Sequence, residues 1–297
     1  MSTLRTAELT LASRAQAYVV LTKPDVSFLV LITTAAGYYM GARGPVNWLH
    51  LIHTVFGTML IAAGTAALNH YIERDSDRLM RRTAARPLPS GVLKPRAALA
   101  YGISLSVAGA VYLYFAAGAL AAGLGVLTCL SYLLAYTPLK KRTVWATFVG
   151  AFPGAVPPMI GWVAASGRLD LGAWLLFAIL FLWQFPHFHA IAWMYREDYA
   201  RAGILMLPVV DHEGTRTFRQ ILVTASALVG VSLLPAIAGI AGVFYFFGAL
   251  GLSVALLQVC LWAASAKTNV RAKWLMHATV LHIPLLLALM VYDKTLR

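Results

Sequence analysis

The chain has 297 residues, of which 60% are apolar and 12% charged, and its mean hydropathy of +0.73 excludes an ordinary water-soluble globular domain. Twenty-four Lys and Arg against 11 Asp and Glu give a formal charge of +13, yet the basic residues are divided among short loops, a poor arrangement for binding nucleic acid. Cys129 and Cys260 fall inside apolar runs without CxxC spacing, so neither a disulfide nor a thiolate metal site is expected.

In chain order, residues 1–24 read as an amphipathic segment carrying Arg5, Arg14 and Lys23, without the pattern of a cleavable signal. Nine apolar stretches of about membrane-spanning length follow: 26–42, 48–68, 97–117, 119–137, 144–164, 172–193, 220–240, 242–264 and 275–292. The connections are short and polar, so residues 1–297 are expected to form one all-α polytopic membrane domain. Of the Lys and Arg residues, all but Arg43, Arg168, Lys294 and Arg297 lie in connections on the N-terminal side. Positive charge marks cytoplasmic loops, so the N-terminus and the connections 70–96 and 194–219 are predicted to be cytoplasmic. Eight or ten spans would mix the two groups. A mitochondrial presequence would be longer and richer in Arg, which leaves a bacterial inner membrane as the simpler location. Pro153, Pro157 and Pro158 are expected to kink the fifth span.

Two polar constellations interrupt this apolar background. The first, Asn69-His70-Tyr71-Ile72-Glu73-Arg74-Asp75-Ser76-Asp77, leaves the second span and runs into Arg78, Arg81, Arg82 and Arg86. Asn69, Glu73 and Asp77 recur every fourth residue, so a continuing helix stacks them on one face. Hard oxygen ligands on a ladder suit Mg²⁺, which binds few protein carboxylates and completes its octahedron with water and phosphate. The arginines supply the planar donors that phosphate oxygens prefer. Asp75 falls on another face. The second constellation closes the sixth span: Gln184, His187 and His189, then Tyr195, Asp198 and Arg201. Polar residues at membrane depth are costly and usually functional. The topology opens both constellations on the same side, which suits a metal-diphosphate site at a membrane face.

At these residues the chain resembles the intramembrane aromatic prenyltransferases of the UbiA superfamily. The string Glu73 to Thr83 with Arg86-Pro87-Leu88-Pro89-Ser90-Gly91 is similar to their protohaem IX farnesyltransferase branch. Leu21-Thr22-Lys23-Pro24, Tyr136-Thr137-Pro138-Leu139-Lys140-Lys141, the run Trp183 to His189, Asp198-Tyr199 and Ala202 to Pro208 extend the likeness. The resemblance implies a nine-helix bundle with a central cleft opening to the cytoplasmic side. It implies that farnesyl diphosphate and haem b combine, with water added, to give haem O and pyrophosphate. The second motif departs from the wider superfamily, with Tyr at 195 and Ala at 202 where an acid would complete a carboxylate pair.

On that reading Asn69, Glu73, Asp77 and Asp198 are the expected Mg²⁺ ligands, directly or through water. Arg81, Arg82, Arg86, Lys140 and Arg142 are candidates for the diphosphate, and Arg74 and Arg78 for the haem propionates. His187 and His189 are candidates to touch haem, while Tyr136, Tyr195 and Arg201 complete the substrate-binding set. Lys140-Lys141-Arg142 would serve equally to fix topology. His50, His53, His277 and His282 read as structural, and His70 is open. A downstream haem A synthase or terminal oxidase is a partner the family implies. Two other functions fit less: prenyl transfer to a quinone precursor such as 4-hydroxybenzoate, which leaves the haem-branch strings unexplained, and secondary transport, which would place ionisable groups near mid-span.

Overall fold

The computed structural model describes residues 11–295, which among themselves are helical and contain no strand. We number the helices α1 (Leu11–Leu21), α2 (Pro24–Gly41), α3 (Trp48–Leu79), α4 (Pro95–Ala117), α5 (Ala119–Leu139), α6 (Ala146–Ser166), α7 (Leu171–Met194), α8 (Arg196–Arg201), α9 (Leu207–Val210), α10 (Thr215–Ile237), α11 (Val243–Ala266) and α12 (Asn269–Thr295). Eight of these are long and apolar enough to cross a membrane, or nine if the α1–α2 pair, bent by 50°, is counted as one span. The chain is a multi-pass membrane protein. Arg5 and Arg297 lie outside the described residues.

The α1–α2 break sits where the sequence demands it. Pro24 cannot donate a backbone hydrogen bond and takes the first position of α2, where none is needed. Lys23 before it is left-handed, with φ 48°, which turns the chain and sends its side chain into the bundle. α1 lies along the loop 80–94 and α4, where Ala17 and Leu21 pack with Leu88, Leu93 and Ala98.

Small residues let the helices approach closely, as membrane packing requires in the absence of a hydrophobic drive between helices. A Cβ on Gly64 of α3 would lie 2.3 Å from Ser106 Oγ of α4, and one on Gly109 of α4 would lie 2.7 Å from the Ile61 nitrogen of α3. α2 meets α6 more tightly still: a Cβ on Gly161 would sit 1.9 Å from the Thr34 carbonyl oxygen. The expected break in the fifth span appears at Val156–Pro157, which separates Ala146–Ala155 from Pro157–Ser166.

The last helix closes the bundle. Asp293 of α12 accepts from the backbone N–H of Gly242 and, at 3.0 Å, of Tyr245, satisfying orphan donors at the start of α11. Lys294 donates to the carbonyls of Tyr39 and Ala42, both at 2.6 Å, at the end of α2.

The helix boundaries move the first motif. α3 runs to Leu79 and α4 starts at Pro95, so residues 70–79 and 95–96 of the connection 70–96 are helical and only 80–94 is loop. The reason is local: nothing between Asn69 and Asp77 breaks a helix, and Arg78 sits favourably at the negative end of the dipole. The loop that follows is a chain of tight turns, Arg86 N–H to Thr83 O and Leu93 N–H to Pro87 O among them. Its left-handed corner is Gly91 at φ 79°.

Candidate active site

Extension of α3 beyond the apolar run brings the Asn69–Glu73–Asp77 ladder to one face, against the ends of α2 and α5. Asn69, 1% exposed, accepts a hydrogen bond from Lys23 Nζ at 2.7 Å and donates to Thr137 Oγ1 at 3.3 Å. Glu73 pairs with Lys140 at 2.7 Å, and the Lys140 ammonium lies 4.5 Å from the centre of the Tyr136 ring. Burial disfavours that ammonium, but the Glu73 carboxylate more than reverses the effect and holds the Lys140 pKa well above the usual lysine range. Burial wins at Lys23, whose pKa is pushed down to about 8 with Glu73 opposing the shift.

Asp77 is the most enclosed acid of the ladder. One carboxylate oxygen, Oδ2, accepts from Arg86 at 2.8 Å. The other, Oδ1, is buried with no hydrogen-bond partner, and a buried charged oxygen left bare is costly. Thr83 Oγ1 donates to the Asp77 carbonyl at 2.8 Å and anchors the loop beneath the carboxylate.

The same loop carries the link to the second constellation. The Arg82 backbone N–H donates to Asp198 Oδ2 at 3.4 Å, and Arg201 pairs with the other carboxylate oxygen. The Arg82 guanidinium donates to the Tyr199 hydroxyl at 2.9 Å and lies over the rings of Tyr195 and Tyr199, 5.0 and 5.3 Å from their centres. Met80 packs with Tyr199, Ile204 and Met206 below. Residues 82 and 83 therefore hold Asp77 and Asp198 across one loop, although they are far apart in sequence.

Of the residues expected at the site, the structure gathers Asn69, Glu73, Asp77, Arg86, Tyr136 and Lys140 in one group. Arg82, Tyr195, Asp198 and Arg201 form an adjoining one. It does not bring in the rest. Arg74 lies over Tyr71 and pairs with the exposed Asp75 at 3.7 Å. Arg78, Arg81 and Arg142 are exposed and make no ion pair among the described residues. His187 bonds Thr279 Oγ1 at 2.8 Å and stacks on Trp183, while His189 bonds Gln220 Oε1 at 3.0 Å. Both face neighbouring helices. Lys23 and Thr137 were missed as site residues. Their signal was present in the Lys-Pro before an apolar span and in the Thr-Pro closing another.

The donor set fits a Mg²⁺ that arrives with phosphate oxygens. Among the described residues no three His, Cys, Asp or Glu side chains converge into a cage that would hold an ion unaided. One bare carboxylate oxygen at Asp77 matches an ion that takes few protein carboxylates and leaves most of its octahedron to water and substrate. The flanking Lys23, Lys140, Arg82 and Arg86 form a basic surround for a polyanion.

Comparison with known proteins places the chain in a family and a fold. Over 286 residues the chain is 51% identical to the Protoheme IX farnesyltransferase of Solibacter usitatus, covering 93% of this chain and 98% of that relative. Among solved structures, a digeranylgeranylglyceryl phosphate synthase superposes with a TM-score of 0.79 at 18% identity, covering 96% of this chain and 99% of the other. A UbiA homolog from Archaeoglobus fulgidus bound to GPP and Mg²⁺ superposes with a TM-score of 0.66 at 16% identity, covering 92% and 99%. The family model for UbiA prenyltransferases matches residues 30–286, and the chain belongs to the UbiA prenyltransferase family.

Proposed function

We propose that this membrane prenyltransferase moves a farnesyl group from farnesyl diphosphate to a vinyl group of haem b, giving haem O and pyrophosphate. The acceptor and donor rest on the name carried by its relative, Protoheme IX farnesyltransferase. The observation that carries the reading at the site is the bare, buried Oδ1 of Asp77, whose other carboxylate oxygen is held by Arg86. Asp77, with Asn69, Glu73 and Asp198, would hold the metal, and the Archaeoglobus fulgidus homolog bound to GPP and Mg²⁺ supports Mg²⁺ as the ion. The ion, when bound, supplies a Lewis acid for the departing pyrophosphate.

The chain's own groups do the rest. Arg82 and Arg86 are placed on either side of the loop to receive diphosphate oxygens, and Lys23 and Lys140 hold Asn69 and Glu73 in register. As the C1–O bond breaks, its electron pair leaves with pyrophosphate and positive charge develops on the allylic carbon. A vinyl group of haem b attacks that carbon. Water then captures the cation beside the porphyrin and releases one proton. The Tyr195 and Tyr199 rings offer π faces close to the leaving group, and the apolar bundle limits water until the final step. We place the protein in a bacterial inner membrane with the N-terminus and both motifs cytoplasmic, an orientation supported by the excess of Lys and Arg on that side.

Membranes carrying the protein, supplied with haem b, farnesyl diphosphate and Mg²⁺, should yield a hydroxyethylfarnesyl haem by mass spectrometry. The product should vanish with chelator and fall about 100-fold with Asp77→Asn. Failure to form it in the wild-type membranes, or formation untouched by both treatments, rejects the proposal.

A further inference from the structure

A second concavity, of about 490 Å³, opens outward between α6, α7 and α10. Its size falls in the range of small-molecule sites, roughly 300–1,000 Å³. One wall is aromatic and interlocked: Phe148 meets Phe181 at 5.6 Å, and Phe181 meets Phe185 at 5.4 Å, both edge to face. Trp145 stands beside Phe148, 64% exposed. Such a surface suits a flat conjugated ligand better than a bundle of acyl chains.

The mouth is basic. Arg216 and Arg219 stand three residues apart at the start of α10, hence on one face. Both are exposed, and neither forms an ion pair among the described residues. Cations at a helix start are disfavoured by the dipole, and an anion set between them is favoured by both. Two separate guanidinium forks match two carboxylates more closely than one phosphodiester. Behind the groove, Gln220 holds His189, whose Nδ1 is buried without a partner. Thr147 of the lining donates to Met206 Sδ at 3.6 Å, and Met206 packs with Met80 and Tyr199 beside Arg82. Thr147 and Met206 thus join the lining of the groove to the packing around the diphosphate site.

We propose that this groove docks the porphyrin acceptor from the membrane, its ring on the aromatic wall and its two propionates on Arg216 and Arg219. The assignment rests on the proposed haem-farnesylating function. It places the propionates away from Arg74 and Arg78.

The test uses purified full-length protein in nanodiscs of phosphatidylcholine alone, titrated with haem b or its dimethyl ester and followed by the Soret band. Arg216→Gln/Arg219→Gln should weaken haem b binding about tenfold or more and raise KM for haem b while leaving KM for farnesyl diphosphate unchanged. The wild type should bind the dimethyl ester as weakly as the double variant binds haem b. Val223→Trp, which fills the groove and keeps both arginines, should weaken haem b binding as well. Unchanged haem binding in these variants, with farnesylated haem still made, overturns the groove and spares the function. An arginine effect that appears only when anionic lipid is added identifies a lipid headgroup site and overturns it too. A wild type that makes no farnesylated haem overturns the function itself, and with it the assignment.

Discussion

Replacing the two members of the Glu73–Lys140 pair separately and together distinguishes a structural salt bridge from a substrate-binding one. The pair is 2.7 Å long with both side chains largely enclosed, 12% exposed for Lys140 and 14% for Glu73. At that distance and an effective dielectric near 20 the bare attraction is about 6 kcal/mol, from which the desolvation of both ions must be subtracted. Glu73→Gln strands an enclosed ammonium and Lys140→Met strands an enclosed carboxylate, so each should cost about 3–5 kcal/mol. Lys140→Met should be the worse of the two, because it also removes the contact with the Tyr136 ring. The double variant strands neither charge and should recover at least about 3 kcal/mol relative to the sum of the singles. Cys129 and Cys260 are both buried, so a thiol-reactive fluorophore reports unfolding in detergent. At about 2 °C per kcal/mol for a long chain, each single variant should melt about 6 °C or more below wild type. Activity should behave differently. Loss of the Glu73 carboxylate removes charge stabilisation at the leaving group, so the double variant should remain down by about 100-fold or more despite its recovered stability. Additive melting shifts would refute the coupling. A double variant with wild-type turnover would refute any role for Glu73 beyond packing.

Asp77→Asn should raise the Mg²⁺ concentration needed for half-maximal turnover and reduce turnover by about 100-fold at saturation, read by quantified product haem over a Mg²⁺ series; an unchanged Mg²⁺ dependence would remove Asp77 from the ion's shell. Gly161→Ala forces a Cβ to within 1.9 Å of a backbone carbonyl of α2 that has no side-chain freedom to move, so it should destabilise by about 3 kcal/mol or more; folded yields and melting equal to wild type would contradict the close α2–α6 approach. Burial lowers the Lys23 pKa from 10.5 to about 8, so between those values the unfolded chain binds more protons and stability should rise with pH. Tryptophan-monitored melting from pH 7.5 to 10 should show that rise in wild type and lose it in Lys23→Met; equal slopes would mean that Lys23 is not buried as a lone ammonium.

Much of this protein is written locally. Long apolar runs define the spans, because backbone in lipid must satisfy its own hydrogen bonds and only helices do so within one segment. Every-fourth spacing places Asn69, Glu73 and Asp77 on one face whatever they touch, and Pro24, which has no N–H to donate, sets the start of α2. Tertiary structure decided the partners. No spacing rule joins Lys140 to Glu73, Lys23 to Asn69 or the Arg82 backbone to Asp198, since these pairs meet only when helix ends converge. Charge type does not sort the arginines either: Arg86 and Arg82 reach groups of the site from the turns after Leu79, where Arg81 is exposed, whereas Arg74 and Arg78 follow Glu73 and Asp77 by one residue on α3 and so leave the face of the ladder. The two histidines of the sixth span meet Thr279 and Gln220 because α12 and α10 pack against α7 at their level. A helix determines which of its own residues share a face, and the packing of its neighbours determines what that face meets.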